Sequence, residues 1–153
     1  MSRILCLDYG ERRTGVAVSD ETRTIAQGLP TICHETEREQ MAAIKRIIAE
    51  YDVGLIVVGL PASLSGHPSE RAEAILQFAS RLSKATSLTV TNFDERFTTR
   101  MAQRILTEAC ESGHRRSRSK HVRASRTPAK KEAADRIAAT IILEDYLARH
   151  ERP

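Results

Sequence analysis

Acidic residues at three separated positions of the sequence have the side-chain chemistry to bind a metal ion. Asp8 closes an apolar run near the N-terminus, and Asp94 and Glu95 directly follow a later apolar run. Asp135 lies near the start of a C-terminal helical pattern. Carboxylate oxygens are the ligands that hard cations such as Mg²⁺ and Mn²⁺ prefer. Converging carboxylates repel one another unless a cation neutralises them, so these acids are candidates for a divalent-metal site.

Two such ions would support phosphodiester hydrolysis. Held about 3.5–4 Å apart, they clamp the attacking water and the leaving oxygen of the displacement. This chemistry needs no histidine or cysteine nucleophile. Local explanations remain open, because Asp8 could cap a turn through its own side chain. Asp135 could equally be an acid favoured by the dipole near a helix N-terminus.

The elements that would position these acids begin with three short strands. Alternating side chains and turn signals predict strands at residues 3–8, 15–19 and around 24–31. Residues 20–22 carry a turn signal between the last two. Strands joined by tight turns form an antiparallel meander.

Helices and apolar strands then alternate along the chain. Thr36 and Glu39 have the spacing of a capping box, which predicts a helix over residues 36–51. Val53–Leu60 is almost wholly apolar, which is typical of a strand buried on both faces of a parallel sheet. The remaining predicted elements are a helix at 69–84, a strand at 88–93, a helix that begins near Thr98 or Thr99, and a helix at 128–149. This order predicts an α/β protein with a mixed five-stranded sheet, three strands antiparallel and two parallel, flanked by helices.

Parallel pairing would bring the acids together. If the strands at 3–8 and 88–93 run parallel, their carboxyl ends share one edge of the sheet, where Asp8 and Glu95 would converge. Asp135 shares a helical face with Ala138 and Ala139, whose small side chains let a helix approach the sheet closely. We therefore expect Asp135 to face the other two acids.

The charge of the chain is unevenly distributed. The formal net charge is +4, yet the rest of the chain outside residues 113–131 carries 16 basic against 20 acidic residues. The basic residues of that segment, which contains no acid, are Arg115, Arg116, Arg118, Lys120, Arg123, Arg126, Lys130 and Lys131. An acidic body with one basic segment indicates an anionic partner, with nucleic acid as the first candidate. A solvated loop that keeps the protein in solution is the alternative.

Length and composition limit the number of domains and the cellular location that the chain can have. With 153 residues, 41% hydrophobic and 29% charged, the chain suits one domain. No apolar run approaches the roughly 18 residues of a membrane span, and the N-terminus has no signal-peptide pattern. We expect a cytoplasmic protein with no membrane partner. Three scattered cysteines without a CxxC suggest neither a disulfide framework nor a structural zinc site.

Four blocks of sequence, in order between residues 3 and about 147, resemble the YqgF/RuvX family. The matching residues are Asp8-x-Gly10-x-x-Arg13-x-Gly15-x-Ala17-x-Ser19-Asp20, then Gly59-Leu60-Pro61, then Asp94-Glu95-Arg96 with Thr98-Thr99, and Asp135-x-x-Ala138-Ala139. One block would be weak support, whereas four in order with a matching length are strong support. The chain departs from the family pattern at Ser65-Gly66, where an Asp-Gly pair is usual, which leaves a role for an acid there in doubt.

The resemblance implies a single ribonuclease H-like domain over residues 1–153. The segment at about 112–127, rich in Ser and Arg and without apolar periodicity, is predicted to be a basic flexible loop. The resemblance further implies a cytoplasmic, divalent-metal-dependent nuclease, with Mg²⁺ or Mn²⁺, that processes the 5′ end of precursor 16S ribosomal RNA. By resemblance Asp8, Glu95 and Asp135 are the catalytic, metal-binding acids. Asp94 is the competing choice for the second position.

The resemblance also implies residues that bind the substrate. Arg13 would contact phosphate, with Gly10 and Gly15 allowing close backbone approach. Further candidates are Arg96, Thr98, Thr99 and the basic residues of the 113–131 segment, although the threonines could instead cap a helix.

Other functions remain open. The same fold could resolve branched DNA, as Holliday-junction resolvases do, which cut symmetrically as dimers. The acids could be vestigial in a non-catalytic RNA-binding factor of ribosome assembly or transcription. We expect a monomer or weak homodimer bound to structured RNA.

Overall fold

A computed structural model of the chain describes residues 1–61, 67–94 and 127–150. Its strands are β1 (Arg3–Asp8), β2 (Arg13–Ser19), β3 (Ala26–Cys33), β4 (Val53–Leu60) and β5 (Thr89–Asp94). Its helices are α1 (Glu37–Tyr51), α2 (Glu70–Thr86) and α3 (Pro128–His150). The predicted helix near Thr98, the Ser65-Gly66 departure and most of the basic segment lie outside the described residues.

The strands form one mixed sheet in the order β3-β2-β1-β4-β5. β1 pairs antiparallel with β2 and parallel with β4, and β2 pairs antiparallel with β3. β4 and β5 are also parallel. The predicted meander and parallel pair are therefore confirmed. The carboxyl ends of β1, β4 and β5 lie at one edge of the sheet, because these three strands run in the same direction.

β3 begins two residues later than the sequence predicts, because the side chain of Asp20 extends the preceding turn. Its Oδ1 atom accepts the backbone N–H groups of Thr24 at 2.7 Å and Ile25 at 2.9 Å. The hydrogen bonds from the Ile25 amide, the Thr22 hydroxyl and the Thr24 amide lower the pKa of Asp20 to about 2. β3 then runs on to Cys33, through a register shift opposite Thr14–Val16. Pro30 is tolerated here because β3 is an edge strand with a local irregularity.

The core has two layers, one on each face of the sheet. On one face, Leu7 and Val58 pack with α1 and α2 through residues such as Phe78, all fully buried. On the other face, Cys6 and Val57 pack against α3. Adjacent residues of β4 thus enter different cores, which confirms its predicted burial on both faces and explains its lack of alternation.

Side-chain caps fix where α1 and α2 begin. Thr36 Oγ1 accepts the N–H of Glu39 at 3.2 Å, and Glu39 Oε2 accepts the N–H of Thr36 at 3.4 Å. This reciprocal pair is the predicted capping box. Ser69 caps α2 by accepting the N–H of Ala72 at 3.1 Å. Each helix ends at a residue in the left-handed region, Asp52 for α1 and Ser87 for α2.

α3 lies across β2 and β3 on the face opposite α1 and α2. Two polar contacts join its first turns to β3. Thr31 Oγ1 donates to the carbonyl of Glu132 at 2.8 Å, and Cys33 Sγ lies 3.5 Å from Glu132 Oε1. Of the helices within the described ranges, none has the length and apolar character that crossing a membrane requires.

Candidate active site

Asp8 and Asp135 meet around Gly15. Asp8, the last residue of β1, stands opposite Gly15 in the antiparallel pair with β2. A Cβ atom built on Gly15 would lie 2.2 Å from the carbonyl oxygen of Asp135 and 3.3 Å from Cβ of Asp8. Any side chain at Gly15 would therefore push α3 away from the sheet. Glycine allows the backbone of α3 to sit directly over the strand pair that carries Asp8.

Asp135 forms an ion pair with Arg13 at the start of β2. Arg13 Nε donates to Asp135 Oδ2 at 2.9 Å, and the side chains are 37% and 28% exposed. A guanidinium that bonds a carboxylate restricts its rotamers, so Arg13 orients Asp135 in this structure. The phosphate contact expected of Arg13 stays a prediction.

An open cleft of about 650 Å³ lies in front of these residues. Asp8 and Asp135 line it together with the β1–β2 turn at residues 9–12 and the first turns of α2. Among the residues that the structure describes, its charged lining consists of Asp8, Glu11, Arg12, Arg13, Glu70, Arg71 and Asp135. The cleft thus combines carboxylates with guanidinium groups in a space of the size that holds small ligands.

The burial of Phe93 in β5 shows which face of the sheet the neighbouring Asp94 occupies. Phe93 packs into the α3-side core, with its ring centroid 5.6 Å from that of Tyr146. Successive side chains of a strand point to opposite faces, so Asp94 lies on the α2 side. Asp8 follows Ile4 and Cys6 of the α3-side core, and so belongs to the α3 side. Glu95 lies outside the described residues.

The donor chemistry suits a hard divalent cation, although the described residues supply only part of a ligand set. Within the ranges that the structure covers, no group of three histidine, cysteine, aspartate or glutamate side chains is placed to hold a metal. Asp8 and Asp135 line the cleft from different elements, and the backbone of Asp135 lies against Gly15 beside Cβ of Asp8. Oxygen donors of this kind fit Mg²⁺ or Mn²⁺.

A buried polar cluster lies beneath the β1–β2 turn, and the sequence analysis missed it. Gln40 Nε2 donates to Thr14 Oγ1 at 2.8 Å, and His34 Nε2 lies 3.3 Å from the same oxygen. The N–H of His34 donates to the carbonyl of Arg12 at 3.0 Å. Burial lowers the pKa of His34, against the carboxylate of Glu39 and the carbonyl of Gly10, which raise it. The predicted strand begins at residue 15, whereas β2 begins at Arg13 and buries Thr14, so no signal in the sequence indicated this cluster.

The remaining predicted residues are more scattered. A Cβ on Gly10 would lie 2.2 Å from the carbonyl of Arg13, so Gly10 makes the turn compact. Lys130 and Lys131 lie exposed in the first turn of α3. The predicted substrate-binding residues that lie outside the described ranges are Arg96, Thr98, Thr99, Arg115, Arg116, Arg118, Lys120, Arg123 and Arg126. Arg12 and Arg71 line the cleft but were not predicted, because an exposed arginine has no distinctive pattern.

This architecture is that of the ribonuclease H-like Holliday junction resolvases. "T. thermophilus RuvC in complex with Holliday junction substrate" matches with a TM-score of 0.54 and 11% identity, over 99% of this chain and 97% of that chain. The fowlpox virus resolvase in complex with Holliday junction DNA matches with a TM-score of 0.52 and 12% identity, over 98% and 99%. At these identities the likeness shows the fold alone.

The sequence places the chain in a particular family. Residues 2–149 match the family model described as "RuvX: Holliday junction resolvase", and the chain belongs to this family. Relatives named "Putative pre-16S rRNA nuclease" include one from Thermoanaerobacter pseudethanolicus, 40% identical over 95% of both chains. Another, from Bacillus cereus, is 40% identical over 96% of this chain and 98% of its own length. The family description and the printed names of these relatives support a nuclease.

Proposed function

We propose that this protein is a divalent-metal-dependent nuclease that acts on structured RNA and processes the 5′ end of precursor 16S ribosomal RNA. The observation that carries the proposal is the meeting of Asp8 and Asp135 across Gly15, at the mouth of an open cleft. The printed names of the relatives support ribosomal RNA as the substrate class.

Asp8, Glu95 and Asp135 are the proposed metal ligands and catalytic acids. Asp94 is the less suitable candidate because it lies on the α2 side of the sheet, whereas Asp8 and Asp135 belong to the α3 side. When bound, Mg²⁺ or Mn²⁺ would activate water as a nucleophile and offset the charge that develops on the phosphate.

The chain's own residues hold this site in place. Arg13 orients the carboxylate of Asp135 through the hydrogen bond from Nε. Gly15 keeps α3 close to β1 and β2, and Gly10 keeps the turn after Asp8 compact. Such pre-organisation matters because a displacement of about 1 Å in a reacting group can cost roughly 10²-fold in rate.

The substrate footprint extends beyond the cleft in this proposal. The basic residues of segment 113–131, with Arg96, Thr98 and Thr99, contact the RNA backbone. The protein acts in the cytoplasm as a monomer or weak homodimer, with its single domain over residues 1–153 and a basic loop at about 112–127. Phosphate contacts position a nucleic acid without reading its sequence, so cleavage specificity would come from RNA shape.

The direct test is cleavage of a 5′-extended precursor of 16S ribosomal RNA by the purified chain with Mg²⁺, Mn²⁺ or EDTA. We expect metal-dependent cutting that Asp8→Asn abolishes while RNA binding persists. Glu50→Gln is a matched control, because Glu50 lies exposed at the opposite edge of the sheet, beside Arg3. Cutting by Asp8→Asn would refute the assigned site.

Branched DNA is the second candidate substrate. The family description and the fold shared with junction resolvases favour it. Side-by-side cleavage of a four-way DNA junction and the precursor RNA separates the two, and symmetric cutting by a dimer would favour the junction. RNA binding with steep salt dependence but without cleavage in either metal would instead indicate a non-catalytic assembly or transcription factor.

A further inference from the structure

We propose that Arg12 and Arg71 form a phosphate-binding subsite, which holds the RNA backbone beside the phosphodiester to be cut. The subsite rests on the proposed function, because it places a nucleic acid in the cleft that Asp8 and Asp135 line. It adds two residues from different elements to the substrate contacts expected from sequence.

The topology brings the two arginines to one edge of the sheet. Arg12 lies in the turn that follows β1, the strand that ends at Asp8. Arg71 is the second residue of α2, which begins after β4, the parallel neighbour of β1. The start of α2 therefore lies at the same edge of the sheet as Asp8. Both arginines line the cleft.

The cleft extends from one face of the sheet to the other. Asp135 approaches it from α3, whereas Arg71 approaches it from α2, on the opposite face. Asp8 and the β1–β2 turn lie between them. An RNA strand that crosses this edge would place one phosphate near the acids and a neighbouring phosphate near Arg12 and Arg71.

Contacts beneath the cleft hold the two walls in a fixed relation. Tyr9 packs on Phe78 of α2 with ring centroids 4.6 Å apart. Aromatic pairs at this separation stabilise their geometry beyond simple burial. The N–H of His34 donates to the carbonyl of Arg12 at 3.0 Å. The backbones that carry the two arginines are thus fixed against the fully buried Phe78 and the buried His34.

Arg12 and Arg71 are also available to a ligand. Both are exposed, and neither forms an ion pair or a side-chain hydrogen bond with any residue in the described ranges. Arg3, by contrast, pairs with Glu21. Arg13, which also lines the cleft, bonds Asp135. A guanidinium presents a planar fork of donors that matches phosphate oxygens, so this free pair suits a polyanion.

Two acidic residues lie next to the arginines in the sequence. Glu11 and Glu70, each adjacent in sequence to one of the arginines, line the same cleft. Among the described residues neither acid pairs with Arg12 or Arg71. The two arginines therefore keep their donors for an incoming phosphate.

The experiment measures binding separately from cleavage. In an Asp8→Asn background with EDTA, binding of a fluorescein-labelled single-stranded RNA is followed by anisotropy across a salt series. Removing two phosphate contacts with Arg12→Gln and Arg71→Gln should weaken binding. The slope of log K against log salt should fall by about 1.4, because each single-strand phosphate contact contributes about 0.7.

Two comparison variants make the result specific. Arg38→Gln with Arg46→Gln removes the same charge from exposed positions of α1, outside the cleft, and should change the slope by less than half as much. Arg12→Lys with Arg71→Lys keeps the charge and should retain the slope. Equal losses in the cleft and α1 variants, or an unchanged slope in the cleft variant, would overturn the proposal. If the wild-type chain cuts no RNA but the slope changes as expected, the subsite stands and the nuclease proposal fails.

Discussion

The side chains of Arg13 and Asp135, 122 positions apart in the sequence, form a hydrogen-bonded ion pair with 2.9 Å between Nε and Oδ2. The pair joins the first residue of β2 to the second turn of α3. It connects an acid of the proposed metal site to the turn that borders the cleft.

A double-mutant cycle with Arg13→Gln and Asp135→Asn should show a small coupling in stability. Both side chains are about one-third exposed, and partly solvated pairs contribute about 0.2–1 kcal/mol. Arg13→Gln should nevertheless lower the cleavage rate by about tenfold or more, because it releases the carboxylate of Asp135. Urea denaturation and single-turnover cleavage measure the two effects. A coupling above about 3 kcal/mol would mean that the pair is structural.

Gly15→Ala should destabilise the protein by about 1–3 kcal/mol or more, as overpacked cores do. The new Cβ would lie 2.2 Å from the carbonyl oxygen of Asp135 and 2.8 Å from its carbonyl carbon. α3 must therefore move, which should also remove cleavage. Chemical denaturation and cleavage assays test this.

Gly54→Ala is the control for Gly15→Ala. Its Cβ would meet Ser2 Oγ at 2.0 Å and Ser2 Cβ at 2.6 Å. These are atoms of one small side chain rather than the backbone of a packed helix, so the cost should be smaller. If both substitutions cost the same, the approach of α3 at Gly15 is not a special constraint.

Glu95→Gln should abolish cleavage, whereas Asp94→Asn should leave most of it. Asp94 follows Phe93 of the α3-side core and so lies on the other face from Asp8. Parallel cleavage assays of the two amide variants in Mn²⁺ decide between the neighbours. The reverse pattern would show that Asp94 is the second acid, and that the proposed assignment is wrong.

His34 should make the protein less stable at acidic pH. Its pKa is lowered in the folded state, mainly by burial, from an ordinary value of 6.5, so the unfolded chain binds more protons. Neutral His34 contributes to the free energy of unfolding above about pH 6.5, and this contribution is lost as the pH falls below that value. Denaturation midpoints from pH 8 to 5 should fall less steeply in His34→Gln than in the wild type, after allowance for its lower starting stability. His67→Gln, at an exposed position, is the control, and an equal change of slope would contradict the prediction.

Thr36→Ala should cost about 1 kcal/mol through loss of the α1 capping box. Two hydrogen bonds, from the N–H of Glu39 to Thr36 and from the N–H of Thr36 to Glu39, define that box. Thermal and urea unfolding measure the cost, and Thr36→Ser should restore most of it because it keeps the hydroxyl. Equal stabilities of the alanine and serine variants would show that the hydroxyl is not responsible.

Local patterns in the sequence were sufficient for the elements and for the fold class. Arg3–Asp8 and Val53–Leu60 were predicted with the bounds that the structure shows, because continuous apolar runs between polar turns leave little freedom. The capping box was predicted because it depends on residues only three apart. β3 begins later than the sequence predicted because the Asp20 side chain accepts hydrogen bonds from two backbone N–H groups and so extends the turn before the strand.

The tertiary structure decided which distant groups share a site. The sequence alone predicted the family, the fold and the candidate acids, because these depend on local order and composition. Three relationships depend on how the helices cross the sheet. Gly15 lets Asp135 lie beside Asp8, Arg13 bonds Asp135, and Arg71 shares the cleft. How a helix crosses the sheet is set by packing between residues far apart in the chain. At Gly15, a single added methyl group would prevent the close approach of α3 to the sheet.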